Sequence, residues 1–172
     1  MADLQQLASQ KAEAALQRRV DTLPAEVQAI QRELNARGLL RSGAMLNRML
    51  AACRAAIDAQ ASTVIAEYEW AVGQAIFVSQ SWIERLVAEA SASFSPLQSA
   101  GERHLSTASE LAGRRELSAR LHSDLNTTVE AARQNVGLAL RSKFAERKRG
   151  LLRALPAFIP RQLARIFAAG HA

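Results

Sequence analysis

Apolar residues recur along this chain at the three-to-four-residue rhythm of a helix, and no segment alternates at the two-residue period of a strand. Leu16, Val20, Leu23, Val27, Ile30 and Leu34 alternate steps of four and three and define one stripe. Pro24 falls inside it. Asp21 or Thr22 offers a cap for a restart, and proline is tolerated in a first turn, so the pattern predicts a kinked or broken helix over about 2–21 and 23–37. Gly38 is a natural C-terminal stop.

Ser42 can cap the next helix. Its stripe runs Leu46, Leu50, Cys53, Ile57, Ala61, Val64, Tyr68, Ala71, Ala75, Val78, Trp82, Leu86, and predicts a single helix over about 42–92. The steps average about 3.6 residues, the period of a straight helix rather than of a tight supercoil. A second row, Ile65, Val72, Ile76, Ile83 and Val87, lies beside the first. A face this wide asks for at least two neighbours. Ser93-Phe94-Ser95-Pro96 then reads as the tip of a hairpin, with Ser95 as cap and Pro96 at the first helical position. Beyond it, Leu97, Leu105, Ala108, Ala112, Leu117, Leu121, Leu125, Val129, Ala132, Val136, Leu140 and Phe144 predict a third long helix over about 96–149.

The fold expected from this pattern is all-α: an elongated antiparallel helical hairpin, coiled-coil-like, with a kinked N-terminal helix alongside. It makes a three-helix bundle over 1–150, followed by a short amphipathic C-terminal segment over 151–172. Folding about the tip would set Trp82 near Leu105, Trp70 near Leu117 and Gly73 near Gly113, the two glycines marking a close approach of backbones. At 1.5 Å per residue each long helix would span roughly 75–80 Å.

Composition agrees with a folded helical chain: 49% hydrophobic and 22% charged residues over 172 positions, with eight glycines and four prolines at a few points. The single cysteine, Cys53, rules out an internal disulfide and sits on the apolar stripe as a small core residue. The N-terminus has neither the basic lead nor the apolar run of a signal peptide, so a cytoplasmic, membrane-peripheral at most, location is expected. Arginine outnumbers lysine heavily, the mark of a GC-rich bacterial or phage coding sequence. Tyr68, Trp70, Phe77, Trp82 and Phe94 all lie in the tip half of the hairpin, far from its C-terminal end in this register, and the fourteen residues from Trp70 to Ile83 carry no charge. That run is too short to cross a bilayer as a helix and reads as the packed centre of the bundle, with insertion of the tip into a membrane or partner as the minor alternative.

No catalytic spacing emerges. The chain lacks a phosphate-binding glycine loop, a nucleophile elbow, and the His-Glu-x-x-His and Glu-x-x-His metal motifs. His104 and His122 are five helical turns apart, about 27 Å, and cannot share a metal. No enzyme activity, cofactor, metal or small-molecule substrate is implied.

Charge is the informative asymmetry. Up to Leu140 the chain has 14 basic and 15 acidic residues; from Arg141 it has 8 basic and one acidic, so the net +6 arises in the last fifth. The basic residues are Arg141, Lys143, Arg147, Lys148, Arg149, Arg153, Arg161 and Arg165, interleaved with Leu155, Phe158, Ile159, Leu163, Ile166 and Phe167. Leu163, Ile166 and Phe167 fall on one side of a helical turn and Arg161 and Arg165 on the other. This end fits an anionic membrane surface or a partner protein. Nucleic-acid binding is the weaker alternative, because base readers and stacking aromatics are missing among the cations. Self-association into a larger assembly, such as a phage or secretion structure, is a third, since it would cover the second apolar row.

Overall fold

The computed structural model describes the backbone of residues 2–75 and 78–168 and the side chains of 3–75 and 78–149. The described residues are all helix and turn. The helices are α1 (Ala2–Ala36), α2 (Gly43–Gln74), α3 (Gln80–Ala92), α4 (Ser95–Leu111) and α5 (Ser118–Ala168), with a 3-10 turn at Arg115–Leu117 before α5.

α1 crosses Pro24 without ending, so of the kink or break expected there no break occurs. Proline removes one backbone donor, but Leu23 and Val27 on either side of it are buried and hold the helix to its neighbours. Gly38 ends the run as expected. At φ 69° it lets the Leu39 amide reach back to the Leu34 carbonyl at 2.8 Å and its own amide to the Asn35 carbonyl at 3.0 Å, a Schellman closure. Ser42 does precede α2, although its hydroxyl donates to the Leu39 carbonyl at 2.6 Å instead of accepting from the helix.

The stripe expected to form one helix over 42–92 is two. α2 stops at Gln74, Ala75 turns extended at φ −65°, ψ 127°, and α3 restarts with Ser79 as N-cap, its hydroxyl accepting the Trp82 amide at 3.2 Å. The chain reverses here, because Tyr68 Oη donates to Glu89 across the gap at 3.0 Å and Cys53 lies against Gly101. Ser93-Phe94, expected as the hairpin tip, is no reversal. Both residues stay right-handed helical, and α3 and α4 lie end to end along α5 in one register: Arg141 on Glu84, Arg133 on Ser91, Asn126 on Gln98, His122 on Ser106. The second reversal is at Gly113, where φ is 68° and the Arg114 amide closes on the Ser109 carbonyl at 2.8 Å. The third helix expected over 96–149 is therefore α4 and α5 running in opposite directions.

The outcome is a four-rod bundle, not a three-helix hairpin: α1 up, α2 down, the α3–α4 rod up, α5 down. α2 packs against α1, α4 and α5, and α5 against α2, α3 and α4. The predicted stripes do form the core. Leu23, Leu50, Ile57, Val64, Leu86, Leu105, Leu125, Val136 and Leu140 are all buried. At about 25 cal/mol per Å² of apolar area, burying each such leucine, isoleucine or valine stabilises the fold by roughly 1.5–3 kcal/mol.

Two polar contacts of the buried Gln60 fix the α1–α2 register. Gln60, fully buried, donates to the Ala12 carbonyl at 3.1 Å and accepts from Arg19 at 2.7 Å. Arg19 also reaches the Ala59 carbonyl and Thr63. The second apolar row is covered by the chain itself: Val72 and Ile83 are buried, and Ile65 and Val87 are half-buried against the core, while Ile76 lies outside the described residues.

Candidate functional site

The reversal at 75–79 brings together two features that the hairpin expectation had separated. α5 runs parallel to α2, from the cleft where Leu117 and Leu121 face Leu46 and Leu50 up to the end of α2. There Arg147 donates from Nε at 2.9 Å and from Nη2 at 2.6 Å to the carbonyl of Ala75. The last carbonyls of a helix have no partner within it, and a cation at that end also meets the negative pole of the helix dipole. Arg147 therefore binds the end of α2 and pins the start of the basic run beside the uncharged stretch Trp70 to Ile83.

Other predicted surface residues divide by what they touch. Arg141 grips the Glu84 carboxylate with two contacts, 3.1 and 2.7 Å, and this pairing holds the Glu84 carboxyl below its ordinary range while raising the guanidinium. Both groups are largely exposed, so the pair adds little to stability. Lys143 pairs with Glu146 at 3.3 Å, one helical turn away. Lys148 and Arg149 are exposed, with no ion pair among the described residues. α5 continues through Arg153, Leu155, Phe158, Ile159, Arg161, Leu163, Arg165, Ile166 and Phe167 to Ala168, and the side chains of these nine lie outside the described residues. α5 thus extends, as far as Ala168, into the segment expected over 151–172.

The aromatic residues also divide. Tyr68 and Trp82 are buried and joined by a polar chain: Trp82 Nε1 donates to Gln5 at 3.2 Å, Gln5 donates to Glu89 at 2.6 Å, and Tyr68 donates to the other Glu89 oxygen at 3.0 Å. Burial, ahead of the Glu89 charge, pushes the Tyr68 phenol well up. Phe94 is buried at the α3–α4 junction, and Phe77 lies outside the described residues. Among the described residues of this set Trp70 alone faces outward, 37% exposed, with the Lys11 ammonium 4.9 Å from its ring centre and Lys11 also paired to Glu67. The expected pairings of Trp82 with Leu105, Trp70 with Leu117 and Gly73 with Gly113 do not form, because each joins residues that the two reversals send to different levels or opposite ends.

A cleft of about 470 Å³ opens between α1 and α3, lined by Gln5, Gln6, Ser9, Gln10, Glu13 and Glu89. Both Glu89 oxygens are already engaged, as above. Among the described residues no group of three or more His, Cys, Asp or Glu side chains could hold a metal. Cys53 is buried in the core, and burial, then the charge of Glu26, pushes its thiol up to about 11, far from a nucleophilic thiolate at neutral pH. His122 sits 3.0 Å from Ser106 Oγ and 3.1 Å from the Glu102 carbonyl, a helix-to-helix tie.

Sequence reasoning missed the junction of Arg147 with Ala75. The only sequence signal was weak, Gly73 and Ser79 inside the uncharged stretch, a helix end and a helix start six residues apart. Among the described residues no helix is long and apolar enough to cross a membrane. Comparison of the chain with protein families, with curated proteins and with solved structures finds no match, so its functional reading stands on this geometry.

Proposed function

We propose that this chain is a non-enzymatic helical protein that docks on an anionic membrane surface through the basic end of α5. The observation that carries the reading is the course of α5. Among the described residues Arg147 is the last cation tied to the bundle, and the helix goes on for 21 residues to Ala168 with Lys148, Arg149, Arg153, Arg161 and Arg165 along it. Helical spacing assigns Leu163, Ile166 and Phe167 to one side and Arg161 and Arg165 to the other. A basic amphipathic helix lies in the plane of a bilayer, its apolar side in the headgroup boundary, with each cation adding about 1 kcal/mol against anionic lipid.

Flotation of the full chain with phosphatidylserine-containing and with purely phosphatidylcholine vesicles tests this, beside the full-length variant R153E/R161E/R165E. The wild type floats with the anionic vesicles only. Losing three cations at about 1 kcal/mol each lowers its partitioning by at least about 100-fold, the three added carboxylates lower it more, and raising salt weakens the wild type's binding. Equal flotation of the variant and the wild type would refute the proposal. Retardation of duplex DNA at low salt without vesicle binding would transfer the basic end to nucleic acid.

A further inference from the structure

Between α1 and the α3–α4 rod two clefts, of about 470 and 340 Å³, share Ser9, Glu13 and Glu89 and so form one groove. Its two halves differ in chemistry. Near the start of α1 the walls are the amides and hydroxyl of Gln5, Gln6, Gln10 and Ser9. Further along α1 the walls are mostly apolar, with Ala12, Leu16, Ala92, Pro96 and the buried Tyr68. Glu13 and Glu89 belong to both halves. Glu13 accepts from the Ser9 hydroxyl at 3.2 Å, and the half-buried Glu89 accepts from Gln5 at 2.6 Å and Tyr68 at 3.0 Å, all of them neutral donors. Among the described residues neither carboxylate is in an ion pair, whereas Glu67 and Glu84 are each held by a cation, Lys11 and Arg141. A carboxylate has about four lone-pair sites, so Glu89 keeps acceptor capacity after binding Gln5 and Tyr68. Negative charge partly withdrawn from water and left uncompensated favours a positive charge beside it. Among the described residues no third His, Cys, Asp or Glu side chain joins the two to complete a set of metal ligands, and the apolar half of the groove suits an organic body.

From this arrangement we infer that the groove binds a small organic cation, an ammonium group carried on a short apolar body. The ammonium donates to Glu13 and Glu89, and the body lies against Ala12, Leu16, Ala92 and Pro96. Each cleft is in the size range of small-ligand sites. No residue of α5 lines either cleft, so the inference is independent of the membrane reading.

The test titrates the full chain with hexylamine, a cation at neutral pH, beside hexan-1-ol and hexanoate at the same ionic strength. Tyr68 is the one tyrosine of the chain, so its ring resonances report on the groove directly. The Trp82 indole, bonded to Gln5, is a second reporter, and Trp70, which lines neither cleft, is the control. Hexylamine moves the Tyr68 and Trp82 signals saturably and leaves Trp70 still, while the alcohol and the carboxylate bind at least about tenfold more weakly. Glu13→Gln and Glu89→Gln keep the size of each side chain and an oxygen to accept from Ser9 and Tyr68. The double variant therefore melts close to the wild type and binds hexylamine at least about tenfold more weakly. Absence of a saturable shift with hexylamine overturns the inference, and so does equal binding of hexylamine and hexan-1-ol. A folded double variant that binds hexylamine as the wild type does also overturns it. Should the double variant unfold, the comparison of the three ligands on the wild type decides alone.

Discussion

Replacing Gly113 by alanine and, separately, Gly73 by alanine adds the same methyl group at two positions where nothing lies within 4 Å to receive it. Contacts therefore cancel from the comparison, and only backbone conformation remains. Gly73 is helical, one residue before the end of α2, where alanine is favoured over glycine by at most about 1 kcal/mol and by roughly half that so close to the terminus. Gly113 has φ +68°, a conformation that costs a residue with a side chain about 1–2 kcal/mol. Loss of unfolded-chain entropy returns roughly 0.4–1 kcal/mol of this, leaving a net destabilisation of about 1 kcal/mol. For a chain of this length that is a melting temperature lower by roughly 2–4 °C for Gly113→Ala, against a rise of roughly 1–2 °C for Gly73→Ala. Thermal unfolding followed by circular dichroism reads both, and urea midpoints at unchanged slope confirm that stability has moved. The opposite signs are the point. Were α4 and α5 one continuous helix, as the apolar stripe alone predicts, both substitutions would stabilise, so a rise for Gly113→Ala would refute the chain reversal.

Three further outcomes follow from named contacts. Arg147→Ala removes both hydrogen bonds to the Ala75 carbonyl and destabilises the bundle by about 1–2 kcal/mol, since water can reach part of the site; a change in urea midpoint equivalent to less than ~0.5 kcal/mol would show the contact to be idle. Gln60→Ala strips a fully buried amide from Arg19 and from the Ala12 carbonyl and costs about 2–3 kcal/mol, and a double-mutant cycle with Arg19→Ala shows the two losses to be non-additive. Cys53 makes stability fall at high pH: its thiol is raised to about 11 from an unfolded value near 9.0, so the folded state holds the proton longer. The contribution is intact below about pH 9 and is lost as pH climbs towards about 11. Cys53→Ala flattens the wild-type stability curve across that window, and identical curves would contradict the burial assigned to the thiol.

Pattern made much of the core legible. Leu23, Ile57, Val64, Leu125 and Leu140 were assigned to apolar stripes, and they are buried. Gly38 was legible as a stop because the stripe of α1 does not continue beyond it. Gly113 left only a trace, a step of five between Ala112 and Leu117 where three or four is the rule. The reversal between α2 and α3 left no break in the stripe, since Ala71, Ala75, Val78, Trp82 and Leu86 keep the helical rhythm although Ala75, Val78 and Ser79 are not helical. Ser93 to Pro96 misled in the other direction. Pro96 removes one amide from the ladder, which divides α3 from α4 without turning the chain.

The sequence by itself determined that this protein is helical, which face of each helix is apolar, and that its positive charge is concentrated in the last fifth. These follow from side-chain chemistry and a 3.6-residue period, both of which are local. Only the tertiary structure decided where the chain reverses, and with that the number of rods in the bundle and the meeting of the basic run with the uncharged turn. An apolar stripe states that a face must be buried; it carries no direction and does not name its partner. Direction was settled by a few backbone conformations, at Gly38, Ala75 and Gly113, and by long-range contacts such as Arg147 on Ala75 and Arg141 on Glu84, which exist only once the rods are side by side.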